Sequence, residues 1–135
     1  HNWFENIMKQ RENQTEWLAN LIIDHSKDLP INILGKTFKA ETNLTLGSPA
    51  LLLKNILQEK NISINIWDPY VDGNYEEYAE KYHWNTKPQL FFIATKHEYF
   101  INFDFYKESI VIDPWRYIPS EKRSYKLISI GKNII

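Results

Sequence analysis

At 135 residues the chain has the length of one domain, enough to bury about two-thirds of the surface its unfolded form exposes. Its 16 basic side chains nearly balance 17 acidic ones and 43% of the residues are hydrophobic, which excludes disorder and a broad cationic field for nucleic acid. With no cysteine, the chain has no disulfides, thiolate metal sites or cysteine nucleophile of its own.

No apolar run approaches the ~20 residues that span a bilayer, and no charged-then-apolar leader is present, so a soluble protein with no membrane partner is expected. The first residue is His1 rather than methionine, the start expected either of a trimmed chain with a tag remnant or of a piece of a longer protein. From Trp3 to about His25, Trp3, Phe4, Ile7, Met8, Trp17, Leu18, Leu21 and Ile22 recur at helical spacing, which predicts an N-terminal amphipathic helix. Trp3 and Phe4 suit either its own domain or an interface with an upstream segment. Asp28-Leu29-Pro30 ends it, because proline cannot continue a helix and drives its predecessor towards extended geometry.

Ile31 to Leu34 reads as a short strand, followed by a loop bearing Lys36 and Lys39 and a helix from Ser48 to about Lys60. Ser48 fits the N-cap, Pro49 the first helical position, and Asn61 a left-handed stop. Ile62, Ile64 and Ile66 alternate as a second strand that halts at Trp67-Asp68-Pro69. Tyr75, Tyr78, Ala79 and Tyr82 predict a short helix. Leu90 to Ala94 is continuously apolar, as in a strand covered on both faces, and Thr95-Lys-His-Glu98 reads as a capping box opening another helix. Strands at Ile110 to Ile112 and about Tyr125 to Ile130 complete the pattern.

The alternation predicts an α/β, three-layer Rossmann-like domain with a mainly parallel sheet of about five strands, preceded by the N-terminal helix. Residues 1–28 form the leading helix and 29–135 the domain. Ligands of such sheets collect beyond the carboxyl ends of the strands, where Lys36, Lys39, Asp68, Thr95, Asp113 and Arg116 all fall. Asp68 and Asp113, each before a proline, read first as turn formers, and His97 as a structural or surface residue of the capping box. His25 and His83 lack neighbours at ligand spacing, so no metal site is expected.

The residues Ile33-Leu-Gly-Lys-Thr-Phe-Lys-Ala-Glu-Thr42, Ser48-Pro49-Ala50, Trp67-Asp68-Pro69, Ala94-Thr-Lys-His-Glu-Tyr-Phe100 and Val111-Ile-Asp-Pro-Trp-Arg116 together resemble the C-terminal domain of the UDP-glucose/GDP-mannose dehydrogenase family. The likeness is greatest to members that oxidise UDP-glucose. It implies a nucleotide-sugar-binding domain of an enzyme that oxidises the sugar's C6 alcohol to a carboxylate with NAD. By the same resemblance NAD is bound by a separate N-terminal domain, the catalytic cysteine lies outside this domain, and no catalytic residue or cofactor site belongs to this chain.

Carried over residue by residue, the resemblance makes Phe38, Lys39 and Arg116 substrate contacts, with Lys36 a further candidate. Lysine serves as a compact charge and arginine as a fork on phosphate or hydroxyl oxygens. It further implies a UDP-sugar and the chain's own N-terminal domain as partners, a homodimer or higher homo-oligomer, and a cytoplasmic location. Where the family has an aspartate and an arginine, this chain has Leu44 and Leu46. That departure keeps a second reading open, a non-catalytic nucleotide-binding or oligomerisation module.

Overall fold

The computed structural model describes residues 12–37, 39–42, 48–119 and 124–130. Its elements are α1 (Glu12–Ser26), β1 (Ile31–Leu34), α2 (Pro49–Glu59), β2 (Ile64–Trp67), α3 (Tyr75–Lys81), β3 (Leu90–Ile93), a 3-10 segment (Glu98–Asn102), β4 (Ile110–Asp113) and β5 (Lys126–Ser129). All strand pairs are parallel and the order is β2-β1-β3-β4-β5. The chain therefore steps outwards from β1 to β2, then crosses back to place β3 on the other side of β1. This is a topological switch point, and the ends of β1 and β3 meet there.

Local chemistry sets the element ends. Ser48 accepts the Ala50 amide at 3.1 Å and Pro49 occupies the first turn of α2. At the other end Asn61 takes φ +64°, so the amides of Asn61 and Ile62 reach the carbonyls of Gln58 and Leu57 at 2.9 and 3.0 Å. That is the Schellman arrangement. His83 does the same for α3: at φ +62° it sends its own amide to Glu80 and the Trp84 amide to Ala79. Its place in the sequence is thus explained by a left-handed helix end.

The period of two divides the sheet between two cores. On one face, Ile31, Ile33, Leu90, Phe92 and Ile112 meet Leu18, Ala19 and Ile22 of α1 and Leu53 and Leu57 of α2. On the other, Leu34, Trp67, Phe91, Ile93 and Val111 meet Ala79 of α3, Trp84, Phe100 and Phe103. Each fully buried leucine or phenylalanine contributes roughly 1.5–3 kcal/mol of transfer free energy. The apolar face of α1 thus packs on the domain itself; Trp3 and Phe4 lie outside the described residues.

One polar side chain stands inside the second core. Asn32 of β1 accepts from Trp84 Nε1 at 2.8 Å and Asn65 Nδ2 at 3.1 Å, and donates to Gln89 Oε1 at 2.9 Å and the Leu90 carbonyl at 3.2 Å. Both its amide hydrogens and its oxygen are matched, so its burial is compensated.

The expected capping box after β3 does not form. Glu98 does not reach back to Thr95; its amide donates instead to Glu41 Oε2 at 2.7 Å, while Thr95 Oγ1 donates to the Thr37 carbonyl at 3.0 Å. A 3-10 segment follows in place of the expected helix, and its cap residue, His97, makes no side-chain capping bond. The Thr95 hydroxyl and the Glu98 amide are both taken up by the loop after β1, a tertiary demand that the local motif cannot express.

Candidate functional site

The site starts from Gly35, the first residue beyond β1. Its φ is +108°, its amide donates to the Trp67 carbonyl at 2.7 Å, and an added Cβ would stand 2.6 Å from Thr95 Cβ. Only glycine permits this approach of the β1 and β3 ends. The described residues that follow, 36, 37 and 39–42, lie over the ends of β2 and β3.

Asp68, the first residue beyond β2, anchors the start of that loop. Its Oδ2 accepts the Lys36 amide at 2.6 Å and Nε2 of His97 at 2.9 Å, and its Oδ1 accepts the Tyr70 amide at 2.7 Å. The side chain has no exposed surface. Burial by itself raises its pKa, but the bonds from His97, Lys36 and Tyr70 outweigh it and hold the carboxyl below its usual value. Asp72 completes the corner, accepting the Asp68 amide at 2.9 Å and pairing with Lys36 Nζ at 3.0 Å.

His97 anchors the far end. It is fully buried, and its Nδ1 accepts the Glu41 amide at 2.8 Å. Thr37 Oγ1 lies 3.3 Å from its Nε2 and donates to the Lys39 carbonyl at 2.7 Å, which also accepts from Thr42 Oγ1 at 3.0 Å. The Glu41 carboxylate rests on the Glu98 amide. Residues 36, 37 and 41 are thus each tied to residues beyond β2 or β3, with Lys39 at the crest.

Beyond β4, the buried Asp113 organises a second turn. Its two oxygens accept the amides of Trp115, Arg116, Tyr117 and Ile118 at 2.9–3.0 Å. Arg116 is held there at φ +59°, a strained conformation for a side-chain-bearing residue. The Tyr117 hydroxyl donates to the His97 carbonyl at 2.6 Å, which joins the two turns. Burial, then the charges of Asp113 and Glu41, push that phenol well above its usual range.

Of the residues singled out in sequence, Asp68 and Thr95 each bond the first loop, at Lys36 and at Thr37, and Asp113 is linked to it through Tyr117 and His97, with Arg116 on the Asp113 turn. Lys36 spends its ammonium on Asp72. The Lys39 and Arg116 side chains are exposed and make no ion pair with any described residue. Phe38, Leu44 and Leu46 lie outside the described residues. His97 and Glu41 are central here, although neither stands out in sequence as a functional residue. The signal was the placement of His97 just past the strand that flanks the switch point.

The arrangement presents the exposed Lys39 and Arg116 on turned loops beyond β1 and β4, a setting whose charge suits an anion such as a phosphate. A dinucleotide fingerprint does not fit: the turn after β1 carries only Gly35, and the four glycines of the chain are scattered. Among the described residues no group of three or more His, Cys, Asp or Glu could hold a metal ion, and no helix is long and apolar enough to cross a membrane.

Among solved structures, the fold is similar to UDP-N-acetyl-mannosamine dehydrogenase from Staphylococcus aureus, with TM-score 0.69 and 20% identity over 90% of this chain and 31% of that one. It is likewise similar to UDP-D-ManNAc dehydrogenase from Pyrococcus horikoshii, with TM-score 0.64 and 22% identity over 89% of this chain and 31% of that one. GDP-mannose dehydrogenase from Pseudomonas aeruginosa gives TM-score 0.58 and 20% identity over 85% and 31%. At these identities the likeness shows the fold, and the chain spans about a third of the length of these relatives. No curated protein matches the sequence. The family model for the UDP binding domain of UDP-glucose/GDP-mannose dehydrogenases matches residues 32–120, two-thirds of the chain and all of the site just described. This match makes the chain a member of the UDP-glucose/GDP-mannose dehydrogenase family, carrying its UDP-binding domain.

Proposed function

We propose that the chain binds the nucleotide-sugar substrate of an NAD-dependent UDP-sugar 6-dehydrogenase beyond the carboxyl ends of the strands, at the β1–β3 switch point. The observation that carries this reading is the exposed pair Lys39 and Arg116, presented by loops anchored beyond β1 and β4 within the UDP-binding domain. Lys39 and Arg116 contact the diphosphate or sugar oxygens and Phe38 lies against the nucleotide. Lys36 is a lesser contact, since Asp72 already neutralises it.

The domain begins at residue 29, and residues 1–28 lead in from an upstream domain that binds NAD and supplies the catalytic cysteine. The full-length enzyme oxidises the C6 alcohol of the sugar, works in the cytoplasm, and assembles as a homodimer or larger oligomer; this chain alone binds without turnover. UDP-glucose, expected from the sequence, and UDP-N-acetyl-mannosamine, named for the staphylococcal relative, are the sugars to compare.

The test is a nitrogen-15 NMR titration of the 135-residue chain with UDP, GDP and both UDP-sugars. UDP species at about 10 mM, enough to fill a site of about 1 mM affinity, are expected to move the amides of Lys36, Lys39, Glu41, Arg116 and Tyr117. Unmoved spectra, or an equal response to GDP, would overturn the UDP assignment.

A further inference from the structure

We propose that the pocket between the start of α3 and the 3-10 segment receives the arginine side chain of a partner protein. Its walls are Tyr75, Tyr99 and Phe103 and its rim is Glu98, Asn102 and Asp104, around a volume of about 440 Å³. None of Lys36, Lys39 and Arg116 lines it, so the inference is independent of the nucleotide-sugar reading.

Two short elements build the box. Tyr75 opens α3, and its hydroxyl donates to Asn85 Oδ1 at 3.2 Å. The 3-10 segment has about three residues per turn, so Tyr99 and Asn102 stand on one side of it. Phe103 is buried behind them, its ring meeting Tyr75 edge-on at 5.4 Å and Tyr99 at 5.9 Å. Trp67 meets the two tyrosines at 6.1 and 5.7 Å, and its indole is pinned by a bond to the Gly73 carbonyl at 2.8 Å. The walls are therefore preorganised, while Tyr99 keeps 43% of its surface exposed.

The charge around this box is negative and unanswered. Among the described residues no Lys or Arg pairs with Glu76, Glu98 or Asp104. The ammonium groups of Lys81 and Lys96 sit on other rings, those of Tyr78, Tyr82 and Tyr117. Burial, then the charges of Asp104 and Glu76, push the Tyr75 phenol up against the effect of its bond to Asn85. Burial, then Tyr75 and Glu76, do the same for Tyr99. Both rings thus stay neutral near neutral pH and offer a cation their electron-rich faces.

A guanidinium suits this combination of rings and carboxylates better than other cations. It is planar, so it stacks on a tyrosine ring while its N–H fork meets a carboxylate, and it sheds water more readily than an ammonium. A quaternary ammonium has no hydrogen to give Glu98 or Asp104. The volume also admits the apolar stem of the side chain, for which the Tyr75 and Phe103 rings are the matching surface. Free arginine would bring its own carboxylate to an acidic rim that repels it. An arginine within a chain carries none, which makes a protein side chain the occupant.

The test titrates the nitrogen-15-labelled 135-residue chain with a tripeptide of arginine between two glycines, blocked at both ends. At about 50 mM, enough to fill most of a site of about 10 mM affinity, it is expected to move the amides of Tyr99, Asn102 and Asp104 and leave those of Lys39 and Arg116 in place. The same tripeptide with lysine, free arginine and tetramethylammonium are each expected to bind at least about threefold more weakly. Y99A removes the stacking face and should weaken the arginine peptide about fivefold. D104N alters only an exposed carboxylate and should weaken it about threefold, so it decides the matter if Y99A does not fold. Unmoved amides around the pocket, an equal response to any of the three other cations, or unchanged affinity in D104N would overturn the proposal.

Discussion

Nε2 of His97 lies 2.9 Å from Oδ2 of Asp68, and neither side chain has any exposed surface. A buried carboxylate without partners is costly, so Asp68 is sustained by what donates to it: the imidazole and the amides of Lys36 and Tyr70. The pair joins the ends of β2 and β3 across the strand between them. Through Lys36 and Glu41 it also ties down the loop after β1 at two points.

Gly35 is the position where this corner tolerates least. G35A puts a Cβ 2.6 Å from Thr95 Cβ and Oγ1 and 2.7 Å from the Thr95 amide nitrogen, at φ +108°. The expected loss is about 3 kcal/mol of unfolding free energy, because backbone on both strands must move. Urea denaturation checks it, and a loss well under about 1 kcal/mol would mean that the strand ends yield easily.

Asn32 is expected to matter through the partners it would abandon. N32L fills the space but strands Trp84 Nε1, Asn65 and Gln89 inside or beside the core, for an expected loss of about 2–4 kcal/mol. N65A removes one bond of the same network and should cost about 1 kcal/mol. Thermal unfolding of the two variants in parallel gives the comparison.

The Asp68 carboxyl makes acid stability a specific test. Its native pKa is below the ordinary 3.8, so its contribution is complete above that value and is lost as pH falls through the lower native one. The stability gap between wild type and D68N should therefore be constant from about pH 6 to 8 and close as the solution becomes more acid than about pH 4. A gap that persists unchanged in acid would show that the carboxylate charge is not what holds the corner.

Arg116 separates binding from folding. R116G removes the side chain at a backbone position, φ +59°, that glycine adopts freely. Unfolding free energy is expected to stay within about 1 kcal/mol of wild type, while UDP-sugar affinity falls by about 1–3 kcal/mol. Unchanged affinity by calorimetry would remove Arg116 from the site.

The sequence by itself determined the order of strands and helices along the chain and the parallel sheet. Those depend on information within a few residues: the apolar run of Leu90–Ile93, the Ser48-Pro49 start of α2 and the left-handed stop at Asn61. Asp113 was legible as a turn former for the same reason, since the amides it accepts are those of the next few residues. The tertiary structure alone decided His97, Glu41 and Thr95. Their partners lie 29 to 60 positions away in the chain, and Thr95 and His97 stand locally in a capping-box pattern that the fold does not build. A side chain with one donor or acceptor to spend goes to the partner the fold brings nearest, and three strand ends meeting at a switch point brought the loop rather than the helix start.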